Sequence, residues 1–224
     1  TEADSVASDV DLDGYLAVTA ELESLATEYV VSALAELGWE LRPGETVTAD
    51  GLAEQLDVVG QHRRLLGRLL EMLGEDGLRE RTPAGWQVAR VPKTPDTDKH
   101  HQALSDAHPE ADAELTLLGR CGRRLADVLR GKCDPLRLIF PNGDAEVATR
   151  LYQDSPGARV INTLVRQSLA EAVRRLPEGR GLRVLEIGAG TGGTTAHLLP
   201  LLPADRTEYV LTDVTPLFTT KAQQ

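Results

Sequence analysis

Cysteine is scarce in this sequence: Cys121 and Cys133 are the only two. Two thiols build neither a disulfide scaffold nor a four-ligand zinc site, so free thiols of a cytoplasmic protein are expected. Positive charge is also short. Asp and Glu number 35 against 24 Lys and Arg, a formal net charge of −11, which excludes a nucleic-acid or anionic-membrane surface as the main partner. No apolar run approaches the roughly 20 residues that a bilayer-spanning helix needs. The acidic, polar start TEADSVASDVDLDGY lacks the features of a secretory signal. A starting Met, a P-loop, a Ser/His/Asp triad, an internal repeat and a low-complexity tract are all missing; the first of these absences reads as an excised domain or a processed chain. What is present is 224 residues, 41% hydrophobic and 26% charged. That suffices for one large or two smaller cores and argues against wholesale disorder.

The fold class read from the pattern is α/β, mostly helical at the front and strand–helix–strand at the back. Residues 1–14 read as a disordered lead. Apolar residues at 15, 18, 22, 25, 29, 33 and 37 predict one long amphipathic helix stopped by Gly38. Within 46–91, TADGLAEQL predicts a short helix capped by Thr48 or Asp50. DVVGQHRRLLGRLLEMLGEDG predicts a turn and a second helix, and LRERTPAGWQVARV two strands around Pro83-Ala84-Gly85. That order resembles a winged helix. Residues 15–91 therefore form one helical unit, and 92–114 a polar linker opened by prolines. Residues 115–180 form a helical segment with helices expected over 115–129 and 161–176, and 181–224 a sheet-bearing end.

A winged helix invites a DNA-binding reading, and charge opposes it. Residues 45–91 hold eight acids against six arginines, whereas a major-groove reader presents a basic face. The leucines at 65, 66, 69, 70 and 73 put most of the second helix in a core. A lid or dimerisation unit fits better. Of the histidines at 62, 100, 101, 108 and 197, the adjacent His100 and His101 read as part of a solvated linker, with a metal pair the lesser alternative, and His197 as a helix-flank residue. The pair Asp154-Ser155 is like a phosphopantetheine attachment site, but the following Pro-Gly argues against it.

The informative stretch is 184-VLEIGAGTGGTT-195. A strand over 182–187, a glycine turn, a helix over about 191–202 and a strand over 208–213 make the first half of a doubly wound sheet. Gly188, Gly190 and Gly193 satisfy the G-x-G-x-x-G spacing: a tight turn, backbone open to a ligand, and close helix–strand packing. Asp213 ends the second strand, where a carboxylate accepts ribose hydroxyls. The pattern leaves a dinucleotide, S-adenosylmethionine (SAM) or a turn without ligand open, with SAM favoured. Glu186 suits an ammonium and repels a pyrophosphate. TGGTT supplies hydroxyls and no cation to neutralise phosphate.

The runs LLGRCGRRLADVLRGKCDPLRLIFPNGD, LYQDSPGARVINTL, LRVLEIGAGTGGTTAHLLPLLP and YVLTDVTPLFTTKAQ resemble the C-methyltransferase domain of modular polyketide synthases and hybrid peptide–polyketide synthases. ATEYVVSALAELGWELRPGE and LDVVGQHRRLLGRLLEMLGEDG resemble the helical lid of the same domains. The resemblance implies SAM as cofactor. It also implies methylation of the α-carbon of an acyl chain on an acyl carrier protein, with neighbouring synthase domains as partners. It carries Glu186, Gly188, Ala189, Gly190 and Thr191 over as the lining of the SAM amino acid moiety. Asp213 would hold the ribose, Val214 would pack near the adenosine, and Tyr152 and Asn162 would close over SAM or substrate. The family's His/Glu base pair has no match among the five histidines, so no catalytic residue is assigned. The sequence stops at Gln224, just inside the helix after the second strand. The expectation is a lid plus the N-terminal part of a methyltransferase core, inactive alone and completed by a missing half or a second chain. A non-catalytic adaptor and an O-methyltransferase with a winged-helix dimer unit are the alternatives.

Overall fold

The computed structural model describes residues 12–91 and 96–222. Most of the lead expected over 1–14 lies outside the described residues, as do Pro92 and Pro95 of the expected linker. The chain divides into two compact units: Val18–Pro141, and Asn142 onward together with the segment up to Ala17.

Helix α1 (Leu12–Glu36) ends where expected. Gly38 takes φ +100 and Trp39 N returns to the Leu34 carbonyl at 2.9 Å, a left-handed stop that glycine adopts without Cβ strain. Strand β1 (Thr46–Val47) leads into helix α2 (Ala49–Gln55). Of the two caps considered, Thr48 is the one used: its side chain accepts from Gly51 N at 3.0 Å. A single 3₁₀ turn (Gly60–His62) precedes helix α3 (Arg63–Glu75), which buries Leu66, Leu69, Leu70 and Leu73. Strands β2 (Arg79–Thr82) and β3 (Gly85–Val88) form the expected hairpin. The structure adds β1, which pairs antiparallel with β3, Val47 opposite Trp86. Two residues are too few for a period of two to show, so the pattern did not reveal this strand.

The expected polar linker contains helix α4 (Thr97–Ala107). Asp96 caps it by accepting from Lys99 N at 3.2 Å. Its His100 lies 3.0 Å from the Glu28 carboxylate of α1, and His101 Nε2 meets the Leu115 carbonyl at 3.0 Å. Thus the adjacent histidines serve a helix contact, and Leu104 is buried in a second cluster with Leu25, Tyr29 and Leu115. The single helix expected over 115–129 is two, α5 (Asp112–Gly122) and α6 (Leu125–Leu129). Gly122 packs against Tyr29 so closely that a Cβ would meet the ring at 2.3 Å. Arg130 donates to the carbonyls of Leu37 and Leu56, satisfying chain ends the elements leave open.

The main core gathers α1, α2, α3 and the hairpin around Trp39, Leu52, Leu70 and Leu129. Buried against this core is Arg79, whose guanidinium stacks 4.3 Å from the centroid of the Trp39 ring. Burial pushes the Arg79 pKa down to about 10, against the pull of the Glu45 charge.

The one-turn helix α7 (Pro135–Ile139) closes the Val18–Pro141 unit, and the other unit continues with α8 (Glu146–Gln153) and α9 (Pro156–Arg174). The long helix begins five residues before its apolar period shows. Pro156 occupies its first turn and Ser155 caps it, accepting from Ala158 N at 3.3 Å, which is also why Asp154-Ser155 is structural. Strand β4 (Leu182–Ile187), helix α10 (Gly193–Leu198), strand β5 (Thr207–Thr212) and helix α11 (Pro216–Ala222) complete the chain. β4 and β5 pair in parallel, Val184 beside Tyr209. Among the described residues no helix is long and apolar enough to cross a membrane.

Candidate functional site

The turn between β4 and α10 is held from behind. Gly188 N and Ala189 N both donate to the Thr212 carbonyl, at 2.9 and 3.0 Å. Gly188, Gly190 and Gly192 take φ of +74, +56 and +82, the left-handed region that other residues enter only under strain. Gly192 was not among the glycines singled out by spacing, yet it is the residue at which the chain enters α10. Nothing lies within 4 Å of a Cβ placed on Gly188 or Gly190, so the loop backbone is open on that side. Gly193 differs: a Cβ there would lie 2.8 Å from the Tyr152 carbonyl. Its closeness is to the end of α8, not to a strand.

Asp213, at the end of β5, is joined to this turn. Its Oδ2 accepts from Gly190 N at 2.9 Å and its Oδ1 from Thr215 N at 3.0 Å. These backbone donors, Thr215 first, hold the carboxyl below its ordinary pKa. A carboxylate has about four acceptor sites, so two protein bonds leave room for a ligand's hydroxyls.

Glu186 is bonded by two side chains that line a cavity beside the turn. Its Oε2 accepts from Thr195 Oγ1 at 2.6 Å and from Tyr209 Oη at 2.7 Å. Burial raises the Tyr209 phenol, and the hydrogen bond to Glu186 raises it further, so Tyr209 stays a neutral donor. Thr194 and Thr195 of TGGTT turn their hydroxyls inward, to Asn162 and Glu186. Thr191 alone of the three described threonines beside the glycines has a buried Oγ1 without a hydrogen-bond partner.

A cavity of about 670 Å³ opens beside the turn, walled by Gly190, Thr191, Thr195, Tyr209, Leu211 and Phe218. Its size is that of a small-ligand site. Of the residues selected from sequence, Gly190 and Thr191 line it. Asp213 binds the same turn; Ala189 is half-buried in it and Gly188 is exposed. Val214 is fully exposed, Tyr152 is 62% exposed, and Asn162 is buried with both ends of its amide bonded. Tyr209 and Thr195 were not selected. The alternation of β5 placed Tyr209 on the same face as Glu186, a signal that was available.

A parallel β-α-β unit with an open glycine turn, an acid anchored at the end of the second strand and a helical front unit define a methyltransferase-type Rossmann-like core with its lid. Comparison with known proteins agrees. No family model matches the chain. The non-reducing polyketide synthase mapC of Penicillium roqueforti (strain FM164) is 34% identical over 209 residues, 90% of this chain and 8% of that protein. Among solved structures, the CurJ carbon methyltransferase is 41% identical with TM-score 0.93, covering 99% of this chain and 59% of that one. The CMeT domain of the citrinin polyketide synthase is 29% identical with TM-score 0.82, covering 99% and 59%. The chain is homologous to a segment of polyketide synthases and has the fold of their carbon methyltransferase domains. It spans a small fraction of the curated relatives it matches and somewhat over half of the solved methyltransferase chains.

Proposed function

We propose that this chain supplies the lid and the glycine-turn side of the cofactor site of a SAM-dependent C-methyltransferase in a cytoplasmic polyketide synthase. Its substrate is then the α-carbon of an acyl chain carried by an acyl carrier protein, and neighbouring synthase domains are its partners. The observation that carries the reading is Thr191: a buried hydroxyl without a partner, in the wall of a cavity beside an open glycine backbone. Buried polar atoms are rarely left unpaired, so this one suits a polar ligand group.

The lining fits SAM. The amides of Gly188, Ala189 and Gly190 are engaged by Thr212 and Asp213, so these residues offer the amino acid moiety an unobstructed backbone surface, and Thr191 adds one hydroxyl. Glu186 has one oxygen engaged by two hydroxyls, leaving Oε1 for an ammonium, directly or through water. Asp213 keeps acceptor sites for ribose hydroxyls, and Val214 offers an exposed apolar surface next to it for the adenosine. Tyr152 is exposed and free to cover cofactor or substrate. SAM supplies the electrophilic methyl group; these residues bind and orient, and none of them is assigned as the base.

The test is calorimetric titration of SAM into the chain. Saturable binding is expected, weakened at least about tenfold in Asp213→Ala and in Thr191→Val, each a lost hydrogen bond that leaves a polar group unpaired. A folded chain with no saturable binding, or with the same affinity in both variants, overturns the reading.

A further inference from the structure

Asn162 is 3% exposed, and a buried primary amide is costly unless its groups are paired. Its Nδ2 donates to the Tyr152 carbonyl at 3.1 Å, and its Oδ1 accepts from Thr194 Oγ1 at 2.8 Å. A carbonyl only accepts, so the Tyr152 contact decides which end of the amide faces it and makes Thr194 the donor. The same Tyr152 carbonyl is the atom that a Cβ on Gly193 would strike at 2.8 Å. On the next turn, His197 Nδ1 donates to the Gly193 carbonyl at 2.9 Å, a tautomer fixed by that acceptor. One side chain from α9 thus ties the end of α8 to the first turn of α10, and α10 continues directly from the glycine turn.

We propose that Asn162 is a positioning residue: through Thr194 it sets the pose of the turn Gly188–Gly193 and touches no cofactor itself. The inference rests on the cofactor reading above only for its consequence, not for its geometry. Three features make the tie specific. It joins elements distant in sequence through a side chain that has no freedom to turn. It acts on the residue immediately after Gly193, whose lack of a side chain permits the approach. And Thr195, one residue on, is held separately by Glu186, so the two threonines brace the helix start toward α9 and toward the sheet.

Hydrogen exchange on the full chain tests it, because the amides of Gly188 and Ala189 are bonded to the Thr212 carbonyl and that of Gly192 to the Ala189 carbonyl, and all three exchange only when the turn opens. Thr194→Val keeps the shape and removes the donor; Asn162→Leu removes both bonds; Thr194→Ser keeps the hydroxyl. Exchange of the turn amides is expected to rise about tenfold in Thr194→Val, the effect of one hydrogen bond lost with its partner left buried. It rises more in Asn162→Leu and returns to wild type in Thr194→Ser, while the amides of α3 are unchanged in all three. Unchanged turn exchange in folded Thr194→Val, or a rise spread equally into α3, overturns the proposal. SAM titrated into the same variants reads the consequence: affinity falls with turn order and recovers in Thr194→Ser. Faster exchange with no SAM binding by the wild type sinks the cofactor reading and leaves the tie standing.

Discussion

The two units of this chain hold themselves together differently. Residues 18–141 carry both apolar clusters of the described residues, with Leu25, Leu34, Leu66, Leu70 and Leu129 wholly removed from solvent. From Asn142 onward the buried apolar residues among those described are Ala145, Ala148, Val160 and Leu198, while Leu185 and Ile187 on one sheet face stay 62% and 80% exposed. The order of that unit rests visibly on polar ties: Asn162 to Tyr152 and Thr194, Glu186 to Thr195 and Tyr209, Asp213 to Gly190 and Thr215. Apolar burial is non-directional and tolerates many sequences, whereas hydrogen bonds specify geometry. The unit that carries the cavity is the one in which directional contacts dominate.

The sharpest way to break the comparison is a pair of truncations. Leu70→Ala, at 0% exposure, is expected to cost about 2–5 kcal/mol in chemical denaturation. Leu185→Ser is expected to stay within about 0.5 kcal/mol of wild type. Equal costs would mean that the sheet face is covered in solution and that the contrast is false. A smaller effect tests local structure inside the well-packed unit. Thr48→Ala removes the cap of α2 and should cost about 1 kcal/mol, while Thr48→Ser should cost little; a neutral Thr48→Ala would show that the cap bond is not made.

The smallest effect is a pH dependence in the polar unit. Backbone donors hold the Asp213 carboxyl below its ordinary value. Its contribution is therefore fully present above the usual aspartate range, about pH 3.9, and is lost as pH falls through the lowered folded-state value. Hydrogen exchange at Gly190 should rise across that acid window in the wild type and show no such step in Asp213→Asn. A step of the same size in the variant would assign it to another group.

Much of this molecule was legible before its structure. The long first helix, the helix–turn–helix–hairpin order, the parallel strand pair and the glycine turn all follow from period, caps and glycine placement, and each lies where those signals put it. The misses share a cause. Helix α4 has a weak apolar period and is held by Leu115 and by Glu28, the latter far from it in sequence. Strand β1 is too short to have a pattern and exists because β3 offers it an edge. The break between α5 and α6 falls beside the close approach of Gly122 to Tyr29, a contact invisible along the chain.

The site divides in the same way. The glycines, Glu186 and Asp213 were identifiable because backbone conformation and charge are properties of residue type, and the sequence by itself determined that a turn with left-handed glycines and an acid at the next strand end would be present. Which of their neighbours face the cavity was decided only in the tertiary structure. Packing of α10 against α8, α9 and the sheet turned Thr194, Thr195 and Glu186 inward, buried Asn162, and left Thr191 with an unpaired hydroxyl, because the direction of a side chain is set by what it packs against and not by the residues beside it in the chain.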